Sequence, residues 1–102
     1  MDYRVIWSDR AKVELIEIAE YIARDSTQNA SAVVVKIQEV SRSLANFPHR
    51  GRKVPEFKVE NIREVFVFSY RLIYEIHADF VAILMLAHSA RLLSNKYLLP
   101  KN

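Results

Sequence analysis

The chain has 102 residues, a net charge of +3 and no cysteine. That length fits one domain, residues 1–102, with room for a modest core. The missing cysteines exclude disulfides, thiolate metal sites and cysteine nucleophiles. A content of 51% hydrophobic and 26% charged residues belongs to a folded chain, not a disordered one. The single glycine, Gly51, excludes a glycine-rich phosphate loop. No apolar run reaches the about 18 residues of a membrane span. The opening Met1-Asp2-Tyr3-Arg4-Val5 passes directly into strand-like residues without a signal-peptide pattern. No cofactor or membrane association is expected, and the absent leader and absent cysteines predict a cytoplasmic location.

Residues 3–7 are aromatic and β-branched and predict a short strand. Ser8 offers a helix cap and Asp9 suits the positive end of a helix dipole. The stripe Ala11, Leu15, Ile18, Ala19, Ile22 predicts one buried helical face running to about Arg24. Glu14, Glu17 and Glu20 fall on its solvent side and do not read as a metal site. After the polar turn Asp25-Ser26-Thr27-Gln28, a second helix is expected from about Asn29. Its stripe is Ala30, Val33, Ile37, Val40, Leu44 and Phe47, and Pro48 stops it. So short a turn predicts an antiparallel αα-hairpin. Residues 48–61 read as a loop punctuated by Pro48, Gly51 and Pro55. Strands are expected at about 62–68, 70–77 and 80–88. The order β-α-α-β-β-β predicts an α+β two-layer fold, with the αα-hairpin on one face of a small, mainly antiparallel sheet. The tail, about 92–102, carries Leu92, Leu93, Leu98 and Leu99 and stays unassigned.

Alternation of side chains proposes the faces. In 70–77, Tyr70, Leu72, Tyr74 and Ile76 share one face, and Arg71, Ile73, Glu75 and His77 the other. Sending the large Phe66 and Phe68 to the helices implies a three-residue connection, 68–70. Arg63 then falls opposite Glu75 and Val67 opposite Arg71. Val81, Ile83, Met85 and Ala87 would join the helix face. Arg63, Arg71, Glu75, His77 and His88 would share the outer face with Val65, Ile73, Leu84 and Leu86. An apolar floor rimmed by polar groups reads as a docking surface. Left uncovered, it predicts self-association of the free protein as a homodimer. The last strand, apolar on both sides, reads as central.

At this point several segments resemble RelE/ParE-family toxins. They are Tyr3-Arg4-Val5-Ile6-Trp7-Ser8 through Ile22-Ala23, Phe47-Pro48-His49-Arg50-Gly51-Arg52, Ile62-Arg63-Glu64, Tyr70-Arg71-Leu72-Ile73-Tyr74 and His88-Ser89-Ala90-Arg91. The resemblance implies the toxin half of a bacterial type II toxin–antitoxin module, associated with plasmid stabilisation. It also implies a cognate antitoxin whose C-terminal segment wraps the toxin, by helix-in-groove contact and often by strand addition. Val65, Ile73, Leu84 and Leu86 are the expected antitoxin-binding face.

Two activities are known for such toxins. RelE-like members cut mRNA in the ribosomal A site, and ParE-like members poison DNA gyrase. Metal-independent RNA cleavage needs a base for the 2′-OH, an acid for the leaving oxygen and cations for the phosphorane charge. The resemblance implies Arg63, Arg71, His88 and Arg91 as that set. Val65 and Val67 stand where such a nuclease carries further positive charge, and Ala90 stands near the place of a wanted arginine. The set is incomplete, so the pattern is closer to ParE, with gyrase as target and Arg50, Arg52, Lys53, Arg71 and Arg91 as target or nucleic-acid contacts. The ribosome with its mRNA is the alternative target. An inactive toxin that only binds its antitoxin is a further alternative. Each residue also has a plain structural reading: Arg63 and Glu75 as a cross-strand ion pair, Arg71 as a carboxylate partner, His88 as a satisfied strand-end histidine, and the basic loop as solvated surface. Three unspaced histidines give no metal signal.

Overall fold

The computed structural model describes residues 2–91 and residue 93. The chain runs β1 (Arg4–Trp7), α1 (Asp9–Ala23), α2 (Thr27–Ser43), a 3-10 turn (Pro48–Arg50), β2 (Arg52–Lys53), β3 (Ile62–Val67), β4 (Tyr70–Ile76) and β5 (Phe80–His88). The five strands form one sheet in the order β1-β5-β4-β3-β2. β1 pairs parallel with β5, and every other pairing is antiparallel. The two-layer α+β expectation holds, and β5 is interior, as its two apolar sides require. Among the described residues no helix is long and apolar enough to cross a membrane.

Both helices begin on a serine. Ser8 Oγ accepts the Ala11 N–H and Ser26 Oγ accepts the Asn29 N–H, each satisfying a donor the first turn leaves open. α2 therefore starts at Thr27, ahead of the expected Asn29. It ends at Ser43, so Phe47 lies beyond the helix and is exposed. The helices cover one sheet face over a core of Ala11, Ile37, Leu44, Val65, Val67, Leu72, Tyr74, Val81, Ile83 and Leu86. The segment 48–61 carries the 3-10 turn and β2, not loop alone.

The strand faces differ from the expectation at two places. Val67 pairs with Tyr70, so the β3–β4 connection is the two residues Phe68 and Ser69, with Phe68 at φ 53. A one-residue change of register inverts every side chain of a strand. Val65 and Val67 therefore face the helices, while Glu64 and Phe66 take the outer face. Arg63 lies opposite Tyr74, not Glu75, and Arg71 lies opposite Phe66, not Val67. The second difference is a bulge. Ile73 pairs with Met85 and Tyr74 with Ile83, leaving Leu84 as the extra residue of β5. Beyond it Met85 and Ala87 turn to the outer face, and Leu86 and His88 turn to the helix side. The bulge lies just past the end of the β1 ladder at Trp7 and Ile83. There Ser8 Oγ donates to the Leu84 carbonyl at 2.9 Å, and the Glu14 carboxylate accepts the Leu86 N–H at 2.9 Å. Glu14 is thus not a solvent-side residue.

The outer sheet face is not an open apolar floor. Val54, Phe57, Ile62, Ile73, Met85, Ala87 and Leu93 form a second core there, with Leu84 packed against it. Of the four expected antitoxin-face residues, Val65 and Leu86 belong to the helix-side core, Ile73 is fully buried, and Leu84 is half-buried. The uncovered face from which a homodimer was expected is filled by the chain's own segment 54–57. Apart from Leu93, the expectations for the tail fall outside the described residues.

Candidate functional site

Arg71 is the centre of the outer face. Its side chain is buried on β4, and its neighbours Glu64 and Phe66 come from β3 through the two-residue turn. Nε donates to Glu64 Oε1 at 2.6 Å, and the two terminal nitrogens grip Glu56 Oε1 and Oε2 at 2.7 Å each. A further bond from Nη1 reaches the Arg91 carbonyl at 3.0 Å. Glu56 also accepts the Leu93 N–H at 3.2 Å. The Arg71 hydrogen bonds hold the Glu56 carboxyl at about 2, and the Glu56 bonds in turn raise the already high value of Arg71. This is a fork-on-fork guanidinium–carboxylate pair, the strongest geometry available to arginine.

Glu64, fully buried, is shared. Its second oxygen accepts Arg52 Nε at 2.7 Å. Arg52 also lies over the Phe66 ring, 5.1 Å from its centroid. Two guanidiniums thus face two carboxylates. Arg50 donates to Ser43 Oγ, and Lys53 pairs with Glu60, whose carboxyl it lowers through that hydrogen bond. Arg50, Arg52, Lys53 and Arg91 are exposed.

Of the expected catalytic residues, Arg91 lies beside Arg71, and Arg63 and His88 do not converge on them. Arg63 sits on the helix side and donates to the Gly51 carbonyl at 3.1 Å. His88 is also on that side of the sheet, in edge-to-face contact with Tyr70. Its Nδ1 accepts the Ala90 N–H at 3.1 Å, the bond open to the tautomer protonated on Nε2. His77 contacts Glu75 and stacks on Phe80. No cluster of metal-ligating side chains occurs among the described residues.

Sequence reasoning missed Glu56 and Glu64 as the partners of Arg71, and it missed Phe66 and Phe68 as exposed aromatics. The available signal was the Val65/Val67 pair. Two β-branched residues in alternation fit a core-facing edge as well as two phenylalanines do. It also missed the Tyr74 phenol, which donates to the Pro48 carbonyl at 2.6 Å and accepts the Gly51 N–H at 3.0 Å. Burial raises its pKa.

Comparison with known proteins places this arrangement. Residues 5–93 match the family described as ParE toxin of type II toxin-antitoxin system, parDE. The chain belongs to the ParE toxin family. It is a type II toxin–antitoxin toxin of the RelE/ParE superfamily. A curated relative, Toxin RelE2 of Caulobacter vibrioides, is 31% identical over 90 residues, covering 87% of this chain and 98% of the relative. The fold of the toxin is similar to a chain of the chromosomal ParDE system from P. aeruginosa, with a TM-score of 0.70 and 18% identity, covering 84% of this chain and 95% of that one. It is also similar to a chain of the RelBE2 toxin–antitoxin complex from Mycobacterium tuberculosis, with a TM-score of 0.63 and 21% identity, covering 89% of this chain and 95% of that one. These two likenesses concern the fold.

Proposed function

We propose that this toxin poisons DNA gyrase without catalysing a reaction and is neutralised by a cognate antitoxin, the pair serving plasmid stabilisation. The observation that carries the reading is the state of Arg71. A guanidinium that is to hold a scissile phosphate must be available to it. Here Nε, both N–H bonds of Nη1 and one of Nη2 are taken by Glu56, Glu64 or the Arg91 carbonyl. A phosphate would have to displace the half-buried Glu56 carboxylate or the buried Glu64 one from that fork. The β3 residues beside it on the outer face, Glu64 and Phe66, supply an acid and an aromatic ring where a nuclease needs cations. His88 and Arg63 lie on the opposite side of the sheet, which leaves Arg91 as the one expected catalytic residue beside Arg71 and no proton-transferring group with it. Membership of the ParE family points the same way. The exposed Arg50, Arg52, Lys53 and Arg91 are the target-contacting residues under this reading, acting by charge and shape, not by proton transfer.

The test is a gyrase cleavage assay on supercoiled plasmid, run beside an mRNA-cleavage assay on translating ribosomes. Gyrase-dependent double-strand breaks with intact mRNA are expected. Cut A-site codons with unaffected gyrase would overturn the reading in favour of an endoribonuclease. No effect on either, with antitoxin binding retained, would overturn it in favour of an inactive toxin.

A further inference from the structure

Phe68 is the first of the two residues that join β3 to β4, and its φ is 53. A two-residue hairpin gives positive φ at that position to glycine, asparagine or aspartate. A bulky side chain there is strained. Burial does not offset the strain, because Phe68 is 66% exposed. The fold alone gives no reason for a phenylalanine at this turn. Its ring borders a cavity of about 610 Å³ between the turn, the end of α1 and the start of α2, within the size range of small-molecule sites. Tyr21, Tyr70 and His88 line the same cavity. Tyr21 is also 66% exposed, and Tyr70 and His88 meet edge to face at 5.9 Å. The lining holds no carboxylate, lysine or arginine. It does hold Asn29, whose side-chain amide has no hydrogen-bond partner among the described residues. Beside the cavity the Arg24 guanidinium lies over the Tyr21 ring, 5.8 Å from its centroid. It has no carboxylate partner among the described residues.

We propose that this cavity binds a free purine nucleotide. The exposed Phe68 and Tyr21 rings stack on the flat base, as aromatic side chains do in sites for unpaired bases. The Asn29 amide offers a donor and an acceptor side by side, the pattern that matches N6 and N7 of adenine. Arg24 supplies the charge for the phosphate, and a guanidinium fork fits phosphate oxygens closely. A purely apolar ligand leaves the Asn29 amide unpaired, and a cationic one is repelled by Arg24. The site lies on the helix side of the sheet, across from Arg71. It uses none of the residues proposed above as target contacts, so it stands apart from the gyrase reading.

The probe is adenosine monophosphate, titrated into the isotopically labelled full chain and followed by amide shifts. Saturable shifts at Tyr21, Asn29, Phe68 and Ser69 are expected. Adenosine, which lacks the phosphate, should bind about tenfold more weakly. Phe68→Asn separates binding from folding. Asparagine accepts positive φ readily, so the unfolding midpoint of this variant should equal or exceed the wild type's. Its affinity for the nucleotide should nonetheless fall about tenfold through the lost stacking. Arg24→Gln should abolish the advantage of the nucleotide over the nucleoside, and Asn29→Ala the preference for adenosine monophosphate over cytidine monophosphate. Absent or unsaturable shifts, shifts centred elsewhere, or wild-type affinity in Phe68→Asn would overturn the inference. So would a lowered midpoint in that variant, which would return Phe68 to a purely structural role. A single-stranded oligodeoxyadenylate that binds through the same residues far more tightly than the mononucleotide would overturn it in favour of a nucleic-acid strand.

Discussion

Glu14 on α1 accepts the backbone N–H of Leu86 on β5 at 2.9 Å, 72 positions later in the chain. The β1 ladder ends at Trp7 and Ile83, and the Leu84 bulge follows at once. A helix carboxylate thus takes the place of the strand that is no longer there. Arg10, one turn earlier, pairs with the same carboxylate at 3.2 Å. Glu14→Ala leaves a half-buried donor without its acceptor and should cost about 1–3 kcal/mol. Glu14→Gln keeps an acceptor and should cost less. Urea denaturation of the two variants checks the order.

The register of β3 and the bulge of β5 make opposite predictions for Phe66 and Leu86. Phe66 is 50% exposed and carries the Arg52 guanidinium on its ring, so Phe66→Ala should cost no more than about 1 kcal/mol. Had Phe66 faced the helices, the loss would be about 3–5 kcal/mol. Leu86, moved to the helix side by the bulge, should cost about 2–5 kcal/mol as Leu86→Ala. Denaturation midpoints of these two variants test both differences at once.

Arg71→Ala removes the central cation of a buried ionic cluster and leaves the buried Glu64 with Arg52 alone. A loss of about 3–5 kcal/mol is expected, seen as a lower unfolding midpoint. Any loss of toxicity in this variant should therefore track loss of folded protein. Wild-type stability with abolished toxicity would contradict that account.

Glu56 gives the toxin a defined acid sensitivity. Its carboxyl sits at about 2 in the folded chain against the ordinary 4.5, chiefly because Arg71 hydrogen-bonds the ionised form. A folded value below the unfolded one means that the contribution is fully present above about 4.5. It is lost as pH falls from there through about 2. In Glu56→Gln this contribution should be absent, so the variant's stability should fall less steeply than the wild type's across that window. Urea unfolding at steps between pH 6 and pH 2 gives the comparison, and parallel curves would rule out the assignment.

Gly51 and Tyr74 form a single lock. A Cβ at Gly51 would lie 2.5 Å from the Glu64 carbonyl oxygen and 2.6 Å from the Tyr74 hydroxyl. Because the first of these atoms is sheet backbone, it cannot yield as a side-chain tip can. Gly51→Ala should cost about 1–3 kcal/mol through overpacking. Tyr74→Phe should cost about 1–3 kcal/mol by orphaning the Pro48 carbonyl and the Gly51 N–H. Faster amide exchange at Gly51 in Tyr74→Phe would mark the released turn.

The sequence by itself determined both helices, the four longer strands and their order, but not β2 or the 3-10 turn within 48–61. The stripes through Ala11–Ile22 and Ala30–Leu44 are long enough to set helix period. Ser8 carries a cap that acts within one turn, and Pro48 bars α2 from continuing past it, although that helix already ends at Ser43. These are local effects, each complete within a few residues. The family was legible for the same reason, through short segments in a fixed order. Only the tertiary structure decided which way β3 and the end of β5 face, because side-chain direction in a strand depends on register. One residue more in a turn, or one extra at Leu84, reverses it. The tertiary structure therefore also decided that Arg71 meets Glu56 and Glu64, that His88 lies across the sheet from it, and that the outer face is covered. Each of these contacts joins distant positions, and no local pattern encodes the distance between them.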